Sequence, residues 1–292
     1  MIQRHKLQSL LLFVGSRQFG VSTHLYHHQR LAREHLLEIA AHGFETVTVF
    51  ATRTHFDYHS DAAVADLQQW LAEARLSLYG IHAPVGERYQ RGRFDLPLSL
   101  AHTDPDARRR AVVETERALH VARRIEARVL VTHLGLPRSA EPGSESRVAA
   151  RRSIEELLPT AEPLGVRLAL EVIQNEASRA ASLVHFVEAD LEGSHVGICL
   201  DVGHAHLEGD LLDAIDTVSE HLVVTEVHDN QGRTDQHLVP FAGTIDWAAA
   251  LTAVQKVGYD GALIFELAPQ GPPKETLKRA RKARERMEDL LV

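Results

Sequence analysis

The chain has 292 residues, of which 44% are hydrophobic and 25% charged, a balance that supports a sizeable core and excludes a disordered or fibrous chain. Its formal charge of −8 with histidine neutral weighs against a nucleic-acid partner, because phosphate recognition leaves a basic footprint. The single cysteine, Cys199, allows no internal disulfide, so a cytosolic home is expected, and no stretch approaches the roughly 18 apolar residues of a membrane span.

In chain order, MIQRHKLQSLLLFVGS comes first. It sets basic residues before a short apolar run but lacks a persuasive small-residue cleavage site, and is read as an early start or the lead-in to a first strand. Short apolar, β-rich runs follow at FGVSTHLY (19–26), TVTVF (46–50), LSLYGIH (76–82), ARVLVTH (127–133), VRLALEV (166–172), HVGICLD (195–201), HLVVTEVH (221–228) and GALIFEL (261–267). Amphipathic patterns such as LAREHLLEIAAHG, DPDARRRAVVETERALHVARRIEA and TIDWAAALTAVQKVG lie between them, with the Asp-Pro starts and glycine stops that helices favour. Eight successive strand–helix units over this length predict one domain spanning 1–292, an α/β protein of the (β/α)8 TIM-barrel class. An open doubly wound sheet fits less well, since no Gly-x-Gly-x-x-Gly turn follows an early strand.

The predicted strands sort the 19 histidines and the carboxylates. His82 and His133 close strands 3 and 4, Glu171 lies near the end of strand 5, Asp201 and His228 close strands 6 and 7, and Glu266 lies near the end of strand 8. The C-terminal strand ends of such a barrel converge on its active site, whereas its core positions favour Val, Ile and Leu. A lone buried His or Asp is commonly a hydrogen-bonded structural group. Six in register at one end predict a divalent-cation site, because buried charge needs a partner or an ion. The segment TEVHDNQGRTDQHLVPFAGTID adds Asp229, Asp235 and His237 to His228.

LALEV, ICLDVGHAH, EVHDN and LIFEL resemble the ligand-bearing strands of the xylose isomerase-like TIM-barrel superfamily, which joins sugar isomerases and epimerases with endonuclease IV-type abasic-site nucleases. The resemblance runs from about Phe19 to about Glu266. It implies a four-ligand metal site of Glu171, Asp201, His228 and Glu266, with His204 contacting substrate or a further ion. It also implies, for the nuclease branch, a first zinc held by His82, His133 and bridging Glu171, and a third held by His204, Asp235 and His237. The segment from His228 to Asp235 is shorter than in that nuclease, a departure at the third position.

Two chemistries follow. In an isomerase or epimerase, one ion, zinc or manganese with magnesium also admissible, holds adjacent oxygens of a small sugar or sugar phosphate, while Glu171 and Glu266 exchange a proton and His204 holds an oxygen. In a phosphoesterase, two or three zinc ions clamp a phosphate and activate a water. The acidic chain, with 5% aromatics and basic runs (108–110 and 278–286) placed on helix faces, favours the first chemistry. A third class, a metal-stabilised scaffold, is disfavoured because structural zinc sites are cysteine-rich. His24 and His55 are expected at the pocket rim as substrate contacts, with Phe56 beside His55. Arg88, Arg91 and Arg93 in GERYQRGRF are the candidate anion contacts. Cys199 is expected as a core thiol and Trp247 as a helix-packing residue. Barrels of this type often pair, so a homodimer is compatible with this reading.

Overall fold

The structure is a computed structural model that describes residues 17–90, 92–136 and 144–291; the lead-in 1–16 and Arg91 lie outside the described residues. In chain order, β1 (Phe19–Ser22) is followed by α1 (Arg33–Ala41), β2 (Thr46–Phe50), α2 (Asp61–Ala74) and β3 (Ser77–His82). An antiparallel hairpin of β4 (Gly86–Gln90) and β5 (Arg93–Pro97) comes next, then α3 (Pro105–Leu119), β6 (Val129–Thr132), α4 (Ser144–Ala161) and β7 (Arg167–Glu171). The chain continues through α5 (Ala180–Asp190), β8 (Val196–Asp201), α6 (Val202–Glu208), α7 (Leu211–Thr217), β9 (Leu222–Val227), α8 (Trp247–Lys256), β10 (Leu263–Phe265) and α9 (Pro273–Leu290).

Eight of these strands close into a parallel barrel in the order β1-β10-β9-β8-β7-β6-β3-β2, the predicted TIM barrel. Both faces of each strand are covered, so the strands are buried almost throughout; in β2 even Thr46 and Thr48 are buried beside Val47, Val49 and Phe50. The helices carry one apolar stripe each. In α2 the buried residues Val64, Leu67, Leu71 and Ala74 recur at helical spacing, Ser60 caps the start by accepting from the Ala63 amide, and Arg75 ends it in the left-handed conformation. The basic runs fall where expected: in α9 Thr276, Leu277, Ala280, Ala283 and Met287 face inward, and most of the basic side chains face outward.

The lumen is built in two storeys. The lower one is apolar, with Val131, Ala169, Cys199, Val224 and Ile264 in one packed cluster. Two residues further along four of these strands come His133, Glu171, Asp201 and Glu266, because side chains of one parity share a face. Strand β9 keeps that rhythm through an irregularity: its register shifts between the Ile198–Leu222 and Cys199–Val224 pairs, so that Val224 lies beside Cys199 and Glu226, two residues on, stands beside Asp201, two residues before His228.

Most strand ends shift by one or two residues from the sequence reading, and two segments differ in kind. Strand β1 stops at Ser22, whose hydroxyl accepts from the His24 amide and starts a 3-10 turn over Thr23–Tyr26. The segment GERYQRGRF, singled out as the candidate anion contact, contributes to the β4–β5 hairpin, which lies against the barrel mouth. No helix among the described residues is long and apolar enough to cross a membrane.

Candidate active site

The C-terminal strand ends open into a cavity of about 410 Å³. One wall is ionisable: His24, His82, His133, Glu171, His204, Asp235, His237 and Glu266. The other is apolar: Phe50, Val85, Phe94, Pro97 and Leu136. The hairpin supplies Phe94 and Pro97 to the apolar wall.

Glu171 lies at the centre of the ionisable wall. Its Oε2 lies 3.0 Å from His82 Nε2 and 2.8 Å from His133 Nε2, and its Oε1 lies 3.3 Å from His204 Nδ1. His82 is oriented by the Ala83 carbonyl, 2.8 Å from its Nδ1. Asp201 caps α6, its Oδ1 accepting from the His204 amide at 2.7 Å, and the same Oδ1 is 3.0 Å from His228 Nε2. Asp235 bridges two histidines through Oδ2, 3.2 Å from both His204 Nε2 and His237 Nε2. His237 places its Nδ1 2.9 Å from the Glu266 carbonyl, and it adopts a φ of 44°, a left-handed conformation rare for a residue with a side chain.

The charges are interdependent. Burial opposes ionisation of Glu171, yet His133, His204 and His82 together hold its carboxyl well below the usual range. Burial also opposes protonation of His237, but Asp235 and Glu266 push its pKa up to about 9. Glu266 behaves oppositely to Glu171: burial raises its pKa, His237 and His82 only partly offset this, and Glu171 and Asp201 raise it further. Burial lowers His24 well below the ordinary histidine value, and His237 and His27 lower it further.

The donor set suits a cation. Glu171 Oε1, Asp201 Oδ2, His204 Nδ1, His228 Nε2 and Glu266 Oε1 are buried without hydrogen-bond partners among the described residues. His228 Nε2 approaches Asp201 closely yet makes no aligned hydrogen bond to it, as expected for two donors aimed at a common centre. Ligand atoms lie within 4.8 Å of one another in several groups: His82–His133–Glu171, Glu171–Asp201–His204 and His204–His228–Asp235–His237 among them. All nine residues singled out as ligands are therefore gathered at one mouth.

The remaining candidates divide. His24 lines the cavity, from the 3-10 turn instead of a strand end, with its Nδ1 3.2 Å from the Leu267 carbonyl. His55 and Phe56 do not reach the cavity. His55 is fully buried as a structural group, its Nδ1 donating to the Gln29 carbonyl at 2.7 Å and its Nε2 accepting from Thr23 Oγ1 at 3.0 Å, while Phe56 packs in the core. Arg88 is exposed on the outer side of the hairpin opposite Asp95 and does not line the cavity, and Arg93 is also exposed. Cys199 and Trp247 are buried, as expected.

Asp229, set beside His228 by the sequence as metal-capable, serves a different purpose, and Glu226 was missed as a functional candidate. Asp229 is a strut for the loop carrying Asp235 and His237: it accepts from the Asn230 amide (2.9 Å), the Ile245 amide (3.3 Å) and Trp247 Nε1 (2.9 Å). Glu226 is a fully buried carboxylate. Its signal was its shared parity with His228 in T-E-V-H.

A closed parallel barrel with carboxylates and imidazoles converging at its strand ends places the chain among TIM-barrel proteins. More particularly, it belongs to the xylose isomerase-like TIM barrel family, whose model matches residues 36–290. It is 24% identical over 275 residues to an uncharacterised protein of Methanocaldococcus jannaschii, covering 91% of this chain and 89% of that one. It is 23% identical over 244 residues to a D-psicose 3-epimerase of Enterocloster bolteae, covering 80% and 76%. Among solved structures, a D-tagatose 3-epimerase-like protein superposes with a TM-score of 0.76 at 22% identity, covering 94% of this chain and 97% of its own. The IOLI protein with a bound zinc atom superposes with a TM-score of 0.75 at 17% identity, covering 94% and 99%.

Proposed function

We propose that this protein is a divalent-metal-dependent isomerase or epimerase of a small sugar. The observation that carries the reading is the placement of Glu171 and Glu266 in one cavity with environments that shift them in opposite directions, the first carboxyl's pKa lowered by its histidines and the second's raised by burial. Two carboxyl groups whose environments push them apart are a base and an acid in waiting. Glu171 would take the proton from the carbon beside a carbonyl, and Glu266 would return one. His204 stands where it can hold a substrate oxygen, and the apolar wall of Phe50, Phe94 and Leu136 excludes water from that carbon.

Glu171, Asp201, His228 and Glu266 would hold the ion. When bound it would acidify the carbon by holding the neighbouring oxygens. The mixed imidazole and carboxylate set suits zinc or manganese, with magnesium the poorer match. The sugar epimerases among its relatives support the substrate class. With Arg88 off the cavity, the described lining offers imidazole, carboxylate and apolar surface, which suits an uncharged polyol better than a sugar phosphate.

The test is incubation of metal-reconstituted protein with ketohexoses and keto-inositols in D2O, reading deuterium at the epimerised carbon by NMR. Exchange that falls at least about a hundredfold in Glu171→Gln and in Glu266→Gln supports the reading. No exchange on any of these ketoses overturns it.

A second reading, a zinc phosphoesterase, rests on the His82–His133–Glu171 and His204–His228–Asp235–His237 groups, which supply more ligands than one ion requires. Three zinc ions per chain, with hydrolysis of small phosphodiesters, would favour it; one ion per chain and no hydrolysis would remove it.

A further inference from the structure

Strand β9 and the residue after it bring two ionisable side chains, Glu226 and His228, to the mouth, where β8 brings Asp201 and β10 is followed by Glu266. Glu226 is fully buried, and the register shift in β9 places it directly beside Asp201 on β8 and level with Ile264 on β10. One carboxylate oxygen from each of Glu171, Asp201, Glu226 and Glu266 lies within 4.8 Å of one from every other member, and His82, Glu226 and Glu266 form a second group with the same spacing. Clustering of acids would not by itself define a site. The further observation is that Glu226 is half-bonded: its Oε2 accepts from the Cys199 thiol at 3.6 Å, while its Oε1 is buried with no partner among the described residues. Glu266 Oε1 and Asp201 Oδ2 are orphaned in the same way. Histidines lie against Glu171, Asp201 and Glu266, but a carboxyl taken out of water needs a partner or counter-charge of its own, and Glu226 has only the Cys199 thiol bonded to it among the described residues.

The geometry points to a second kind of cation seat in the barrel, an all-oxygen one in which Glu226 joins Glu171, Asp201 and Glu266 as a direct ligand. This inference rests on the metal-dependent reading above and adds to it a ligand outside the four-residue set. The two seats differ in chemistry. The upper one, at His204, His228, Asp235 and His237, is rich in imidazole and suits zinc; the Glu226 seat is rich in hard oxygen and suits manganese or magnesium. The chain would thus sort two metals by depth, with Glu171 and Asp201 of the lower seat grouped next to His204 of the upper one.

The test uses the full chain stripped with a chelator and titrated separately with Mn²⁺ and Zn²⁺ by calorimetry, comparing wild type with Glu226→Gln, Glu226→Ala and His237→Ala. Outer-shell partners of a metal ligand are worth about 10–100-fold in affinity, so a direct ligand should cost at least a hundredfold. Both Glu226 variants are expected to lose that much Mn²⁺ affinity and the Mn²⁺-induced rise in Tm, while still binding one tight Zn²⁺; His237→Ala should weaken Zn²⁺ and spare Mn²⁺. Circular dichroism and the Tm of the stripped variants report folding, and removing a buried carboxylate should leave that Tm at or above the wild-type value. Mn²⁺ affinity in Glu226→Ala within about threefold of wild type would overturn the proposal while leaving the metal reading intact. Loss of both metals in every variant would overturn it in favour of one shared seat. Failure of the wild type to bind either ion would overturn both readings.

Discussion

Replacing Asp229 by Ala tests the claim that this carboxylate works as a strut. The side chain receives three buried donors: the amides of Asn230 and Ile245 and the indole N–H of Trp247. Truncation leaves all three without an acceptor in a region closed to water, since Asn230 and Trp247 are both buried. A buried donor left unmade costs about 1–3 kcal/mol, and partial relaxation makes the three less than additive, so a loss of about 3–5 kcal/mol is expected. Urea unfolding followed by tryptophan fluorescence measures it, with Trp247 itself a reporter. The same variant should loosen the loop bearing Asp235 and His237 and lower retained metal on dialysis. A loss under about 1 kcal/mol, with metal retention unchanged, would refute the assignment of Asp229 as the anchor of that loop.

Gly203→Ala should push on His228, one of the proposed ligands: an added Cβ would lie 2.1 Å from its Cε1, too close for a buried ring to absorb, so about 2 kcal/mol of stability and a measurable part of the metal affinity should be lost by melting and titration. His55 gives a pH signature away from the metal ligands. Burial lowers its pKa from 6.5 to about 4, so the unfolded chain takes up the proton first. The stability tied to neutral His55 is therefore complete above about pH 6.5 and lost as pH falls towards 4, by roughly 3 kcal/mol in full. His55→Gln should flatten that part of the wild-type curve in paired urea titrations, and parallel curves would refute it. Chelator treatment should lower the Tm of the wild type, with recovery on adding back zinc or manganese; a Tm indifferent to chelation would count against a resident ion.

Much of the architecture was legible because each barrel strand is a short apolar run bounded by helical patterns with clear stops. The strand-end rule then singled out six residues of the cluster without any distance in hand, and the family resemblance added His204, Asp235 and His237. Where it failed, a local interaction won. The run THLY continues the β-like composition of FGVS, but the Ser22 hydroxyl offers the backbone a turn, and the strand ends there. His55 follows a strand end and was expected at the mouth, yet its two ring nitrogens are taken up by Gln29 and Thr23 beneath it. The hairpin was invisible because its charged, partly exposed strands show no buried alternation to detect. Glu226 was overlooked because attention to the last residue of each strand misses one that a register shift lifts to the same level.

The hairpin separates two kinds of information along the chain. The groups that would hold an ion and move protons sit at the ends of barrel strands, where a change disturbs the closed sheet. Phe94 and Pro97, which shape the opposite wall, come from a short insertion between β3 and α3 that pairs mainly with itself. A dozen residues there could be exchanged to reshape the cavity while the strand-end groups stayed in place, so this barrel carries a replaceable mould on a fixed frame.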